Sequence, residues 1–160
     1  MPRRFILVVP LLAAAGCASE NAASGARAAD AGVVVMLAAT PRNAGETAQA
    51  TLIPAGGETR IVLNFSGVPS WTTLPVHVYT YIVDGRCDAV PAQAAFDLNE
   101  RVLPDAANGG SVRGTRGPFL LVHLAPVPIG QIMDGRFALV MRSAPADGHD
   151  VIFCGELRGA

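Results

Sequence analysis

From Val33 onward the chain alternates apolar and polar residues over short stretches closed by Gly, Pro, Asn or Asp. Alternation with period two sends successive side chains to opposite faces, which a half-buried strand requires and a helix cannot satisfy. The stretches run over 33–40, 47–53, 59–66, 75–83, 111–116, 119–124, 136–143 and 151–157. No amphipathic helical window is long enough to compete. Eight short strands separated by turn signals predict an all-β sandwich or barrel. Within 59–66, Ile61, Leu63 and Phe65 share the face that packs, while Arg60, Val62, Asn64 and Ser66 take the wetter one. Pro54, Ala55, Gly56 and Gly57 form a natural turn between neighbouring strands. The stretch 89–110 is longer and Pro/Gly-punctuated, with room for one short helical turn or irregular strand near 95–98.

The first residues read differently. Arg3 and Arg4 precede an apolar run from Phe5, which ends in Ala14, Ala15, Gly16 and Cys17. A charged start, a short apolar run and small residues before a cysteine are what export and cleavage of a bacterial lipoprotein demand. The run falls well short of the roughly 20 residues that cross a bilayer, which argues against a membrane-spanning helix. A signal without lipid, with Cys17 incidental, is the other alternative. The segment 18–32 is small, polar and aperiodic, so it buries too little apolar surface to offset its ordering entropy. The expected organisation is therefore a signal peptide at 1–16, a lipidated Cys17 with its tether at 17–32, and one folded domain at 33–160. A flexible tether of this length reaches roughly 20 Å.

Charge excludes several functions. Every one of the 12 basic residues is arginine, and removing Arg3 and Arg4 leaves 10 against 13 acids, a formal charge of −3. The arginines are scattered among acids, whereas a nucleic-acid surface needs them clustered. Without lysine there is no Schiff-base chemistry, no lysine general base and no phosphate-loop lysine. No serine sits in a Gly-x-Ser-x-Gly elbow. With Cys17 committed to lipid, the other two of the three cysteines, Cys87 and Cys154, form an even pair in an oxidising compartment. They either bridge or stay as two buried thiols.

Two motifs carry a resemblance. Pro75-Val-His77-Val-Tyr79 followed by Cys87, and Val151-Ile-Phe-Cys154-Gly-Glu-Leu157, occur in order, with the strand-turn-strand rhythm of 119–143 between them. Over roughly 47–159 the chain resembles the copper/zinc superoxide dismutase-like family. That resemblance implies an antiparallel Greek-key β-sandwich of about eight strands, closed by a Cys87–Cys154 disulfide. It also implies copper-binding histidines, most of which are missing. His77 stands at the first position of the family's His-x-His strand, but the second is Tyr79, and the place of a further copper histidine is taken by Met141. Val151 replaces the substrate-steering arginine, and no histidine lies between His77 and His123.

His77, Tyr79 and Tyr81 alternate with Val78 and Thr80 and so share one strand face, read as a structural or ligand-groove face. A His77–Met141 pair could hold Cu(I), against which Met141 shares its parity with Phe137 and Leu139 and reads as core. His123 and His149 read as a strand's outer face and a solvated turn. The expected function is that of a non-catalytic, lipid-anchored envelope protein without cofactor. A copper-binding or residual dismutase protein is one alternative, and a glycan- or protein-binding module using Trp71, Tyr79 and Tyr81 is another.

Ala18 and Ser19 follow Cys17 with no aspartate, a pattern that sorts lipoproteins to the outer membrane. Mass spectrometry of the membrane fraction should find Cys17 acylated as the first mature residue. An unmodified N-terminus elsewhere would refute the anchor.

Overall fold

The computed structural model describes residues 32–101, 103 and 114–159. The signal segment 1–16, Cys17 and the tether up to residue 31 lie outside the described residues. Eight antiparallel strands make up the domain: β1 (Val33–Ala39), β2 (Ala48–Ala55), β3 (Glu58–Gly67), β4 (Val78–Asp84), β5 (Phe96–Asp97), β6 (Arg116–Ala125), β7 (Asp134–Ser143) and β8 (Val151–Arg158). One four-residue helix, α1 (Ile129–Ile132), joins β6 to β7. The expected all-β architecture is thus present. One segment differs from expectation: residues 111–113 lie outside the described residues, Arg116 opens β6, and the eighth strand is the two-residue β5. Its position agrees with the irregular strand anticipated near 95–98.

The strands run β5-β4-β7-β8-β1-β2-β3-β6 through a single sheet that curls almost into a barrel. Only β1–β2, β2–β3, β4–β5 and β7–β8 are sequential neighbours. The connections from β3 to β4 and from β6 to β7 cross between the two halves, as in Greek-key topologies. The β2–β3 hairpin needs a positive φ at both loop residues to match strand twist. Gly56 (φ 62°) and Gly57 (φ 97°) supply them.

Strand β1 turns the corner between the halves. Val33 to Leu37 pair with β2, whereas Ala38 and Ala39 pair with Cys154 and Phe153 of β8. The close approach at this corner explains Gly155, where a Cβ would lie 2.9 Å from the Met36 carbonyl oxygen and 3.1 Å from Leu37 Cγ.

The two inner faces close on one core. Ile61, Leu63 and Phe65 of β3 are buried as their parity predicts, and they meet Leu139, Met141 and Phe153 from the other half. Phe65 stacks on Phe119 at 4.8 Å and meets the edge of Phe153 at 6.2 Å, geometries that add to area burial. Between β7 and β8, Met141 pairs with Phe153 while Arg142 pairs with Val151, so Ile152 is the extra residue of a bulge. A bulge of this kind re-aims the side chains that follow it. Ile152 and Phe153 both enter the core, while Val151 returns to the outer face.

A second, smaller apolar layer covers that outer face. Val83, Ala138, Val140 and Cys154 are buried there beneath Cys87, Val90 and Tyr81. The cover is the segment 85–95 between β4 and β5. It is fastened by a Cys87–Cys154 disulfide whose Cα atoms are 5.7 Å apart, and by the Cys87 amide donating to Glu156 Oε1 at 3.0 Å.

Replacing Cys154 with serine should lower stability by an amount approaching 4 kcal/mol, about what closing a loop of 67 residues is worth in the chain-entropy model. Urea denaturation of wild type and variant measures it. An unchanged midpoint, or two titratable thiols in the oxidised unfolded chain, would contradict the bond.

Candidate functional site

The polar residues of the domain gather where β4, β7 and the β7–β8 turn meet. Strand β4 pairs with β7 so that Thr80 faces Met141 and Tyr79 faces Arg142. Thr80 and Met141 are fully buried and point inward. Tyr79 and Arg142 therefore stand side by side on the outer face, with Tyr81 two residues along. This bears out the reading of Met141 as core and sets aside the alternative His77–Met141 pair. The β7 position beside Tyr79 is held by Arg142, and Met141 belongs to the core together with Phe137 and Leu139, because one residue of slip exchanges the faces of a strand.

His77 precedes β4 and is exposed, so it does not meet Met141. Trp71 is 45% exposed and lines a different cleft, with Arg42, Glu46 and Arg116. Of the three residues expected to bind, Tyr79 and Tyr81 fall together and Trp71 does not join them.

His149 completes the outer-face group. The turn after β7 passes through Gly148 (φ 85°) and then His149 at φ 53°, a left-handed conformation uncommon outside glycine although histidine is among the residues that tolerate it. The imidazole rests edge-on against Tyr81 at 5.8 Å and Tyr79 at 6.1 Å. Its Nδ1 is buried and has no protein partner. The turn is held from several sides. Ser143 Oγ donates to the Asp147 carbonyl at 3.1 Å and accepts from the Asp150 amide at 3.0 Å. The Asp147 carboxylate accepts from the Thr73 hydroxyl at 2.6 Å and from its amide at 3.1 Å.

Arg142 ties this turn to the disulfide-fastened segment. Its Nη1 donates to the His149 carbonyl at 3.2 Å and its Nη2 to the Pro91 carbonyl at 3.3 Å. Between the two lies a cleft of about 170 Å³ lined by Tyr81, Val83, Pro91, Ala94, Arg142 and His149. Burial, followed by the charge of Asp97, raises the Tyr81 pKa above the ordinary tyrosine value. The phenol is therefore a neutral hydrogen-bond donor at physiological pH.

His123 corrects the sequence reading. It lies on the core face of β6, 1% exposed, rather than on the outer face. Its Nδ1 is 2.9 Å from the Leu98 carbonyl oxygen, which can only accept, so Nδ1 carries the proton. Nε2 is buried without a partner. Protonating it would leave an unpaired charged N–H in the core, and burial accordingly holds the His123 pKa below the ordinary histidine value. This is a structural histidine.

Among the described residues no three His, Cys, Asp or Glu side chains converge to hold a metal ion. No known protein family, curated protein or solved structure matches the chain.

Sequence reasoning missed Arg142 and His149. Arg142 was legible in principle, since counting parity from Phe137 places it outward. Nothing local marks His149, whose position depends on the turn folding back over β4.

The buried His123 makes stability depend on pH. Below about 6.5 the unfolded chain takes up a proton that the folded chain refuses, so stability contributed at neutral pH is lost as pH falls toward the depressed folded pKa. Urea midpoints between pH 7.5 and 5 should fall less steeply for His123→Asn, whose amide can still reach Leu98 but does not titrate. Equal slopes in the two proteins would refute the assignment.

Proposed function

We propose that the protein is a non-catalytic lipoprotein of the outer membrane whose superoxide dismutase-like domain binds a ligand at the cell envelope. The observation that carries this reading is the pairing of Tyr79 with Arg142 on the outer face of β4 and β7. By the resemblance, this is the face where a dismutase would present copper-binding imidazoles. A guanidinium cannot coordinate a metal, and its fixed charge opposes a neighbouring cation. Neutral phenol is a poor copper ligand, and exposed His77 alone is too small a donor set. The residues present therefore do not fit the family's metal, and no redox step is drawn through it.

Support for binding in place of catalysis comes from the form of the face. It has a cleft, two aromatic side chains and a half-buried cation, all held by the disulfide-fastened segment and a braced turn. The cleft joins apolar side chains to directed polar groups in one concave surface, the combination by which ligand sites fix orientation.

Loaded with copper and zinc, the wild-type chain should retain less than stoichiometric copper and show no superoxide turnover beyond that of the free ions. Tyr79→His with Arg142→His would set two imidazoles at paired positions on the face of His77 and should raise copper uptake. Elemental analysis and a superoxide assay decide it. Stoichiometric copper with rapid turnover in the wild type would overturn the proposal.

A further inference from the structure

We propose that the cleft between Pro91 and His149 is a binding site for a small organic carboxylate seated on Arg142. This rests on the ligand-binding reading of the same face. Among the described residues Arg142 is half-buried without a carboxylate partner. Arg42, Arg86, Arg101 and Arg136 each have a carboxylate within salt-bridge distance, and Arg60, Arg116 and Arg158 are exposed to water. A guanidinium withdrawn from water is ordinarily paired, because desolvating it alone is costly.

Its hydrogen bonds are also incomplete. The carbonyls of His149 and Pro91 each take one N–H. Of the five donors that a guanidinium carries, the others remain for a planar oxyanion, which the fork accepts in bidentate fashion. The nearby acid Asp97, paired with Tyr81 across β4 and β5, is engaged elsewhere, its Oδ1 accepting from the Asn99 side chain at 2.6 Å and amide at 2.8 Å.

The walls select the rest of the ligand. Val83, Pro91, Ala92 and Ala94 contribute apolar surface, and the neutral Tyr81 phenol and the His149 ring border it. A volume near 170 Å³ is below that of typical drug-sized sites and suits a carboxylate with a short apolar tail. Inorganic phosphate would satisfy Arg142 but leave the apolar wall uncovered. The left-handed His149 is the kind of backbone strain that clusters at ligand clamps. Both walls are held before any ligand arrives, one by the disulfide and the other by Ser143 and Asp147, which lowers the ordering cost of binding.

The test is calorimetric titration of the full-length chain in detergent with butyrate, its neutral isostere butyramide and inorganic phosphate. Butyrate should bind at least about tenfold more tightly than butyramide, as expected for a charged hydrogen-bonding partner. Arg142→Gln should weaken it by a similar factor. Because Arg142 also holds two carbonyls, Ala92→Phe serves as the second variant. It fills the cleft from an exposed loop position without touching those bonds, and it should abolish butyrate binding at an unchanged denaturation midpoint. Equal affinity for butyrate and butyramide, or butyrate binding unaffected by Ala92→Phe, would overturn the site. Phosphate bound as tightly as butyrate and lost in both variants would overturn the organic-carboxylate assignment while leaving ligand binding at this face intact. Absence of binding by all three probes, with copper retained instead, would sink both readings.

Discussion

The Cys87–Cys154 bond holds the segment 85–95 against strands that would otherwise turn an apolar outer face to water. Val83, Ala138 and Val140 lie on that face, and a two-sided apolar sheet is stable only when covered on both sides. The disulfide does the covering with a loop in place of a helix. Once the loop is down, Pro91 is within reach of Arg142, and the cleft acquires its second wall. A domain of this size could build its main core without the bond. The outer layer, and the site made from it, could not be expected to persist alone.

Strand β8 shows how closely the bond and the fold are coupled. Cys154 points outward to the loop, while the next residue, Gly155, lies where the β1 backbone passes too close for any side chain. The neighbouring bulge at Ile152 then returns Val151 to the outer face opposite Arg142. Three consecutive requirements, a cross-link, a close approach and a change of parity, fall within a few residues. Each constrains the adjacent one, and at Gly155 the approach of β1 leaves no room for a side chain.

Much of the fold was legible because it rests on local alternation. Ile61, Leu63 and Phe65 pack as period two demands, and Gly56-Gly57 turns where two positive φ angles are needed. Pairing order was not legible from alternation, since β1 divides itself between β2 and β8 and nothing in its residues says so. The site was less legible for a related reason. Tyr79 and Tyr81 could be placed on a common face from their spacing, and Met141 in the core from its parity, but which β7 residue stands beside Tyr79 depended on the pairing of β4 with β7. His123 read as outward because leucines and a valine surround it on both parities. Its true face is set by β3, against which it lies opposite Ile61.

The two buried or half-buried histidines illustrate what decides function in such a sheet. His123 and His149 each have one ring nitrogen without a protein partner, yet the consequences differ. In His123 that nitrogen faces a closed apolar core, where no ligand can come and the imidazole is held neutral. In His149 it is also buried, but the ring as a whole lines a cleft beside the Arg142 guanidinium. The same side chain is a structural element on the inner face and part of a cleft wall on the outer one. Burial alone does not separate the two cases. The separation comes from whether the surrounding charge is already matched, and on the outer face Arg142 has no carboxylate partner among the described residues.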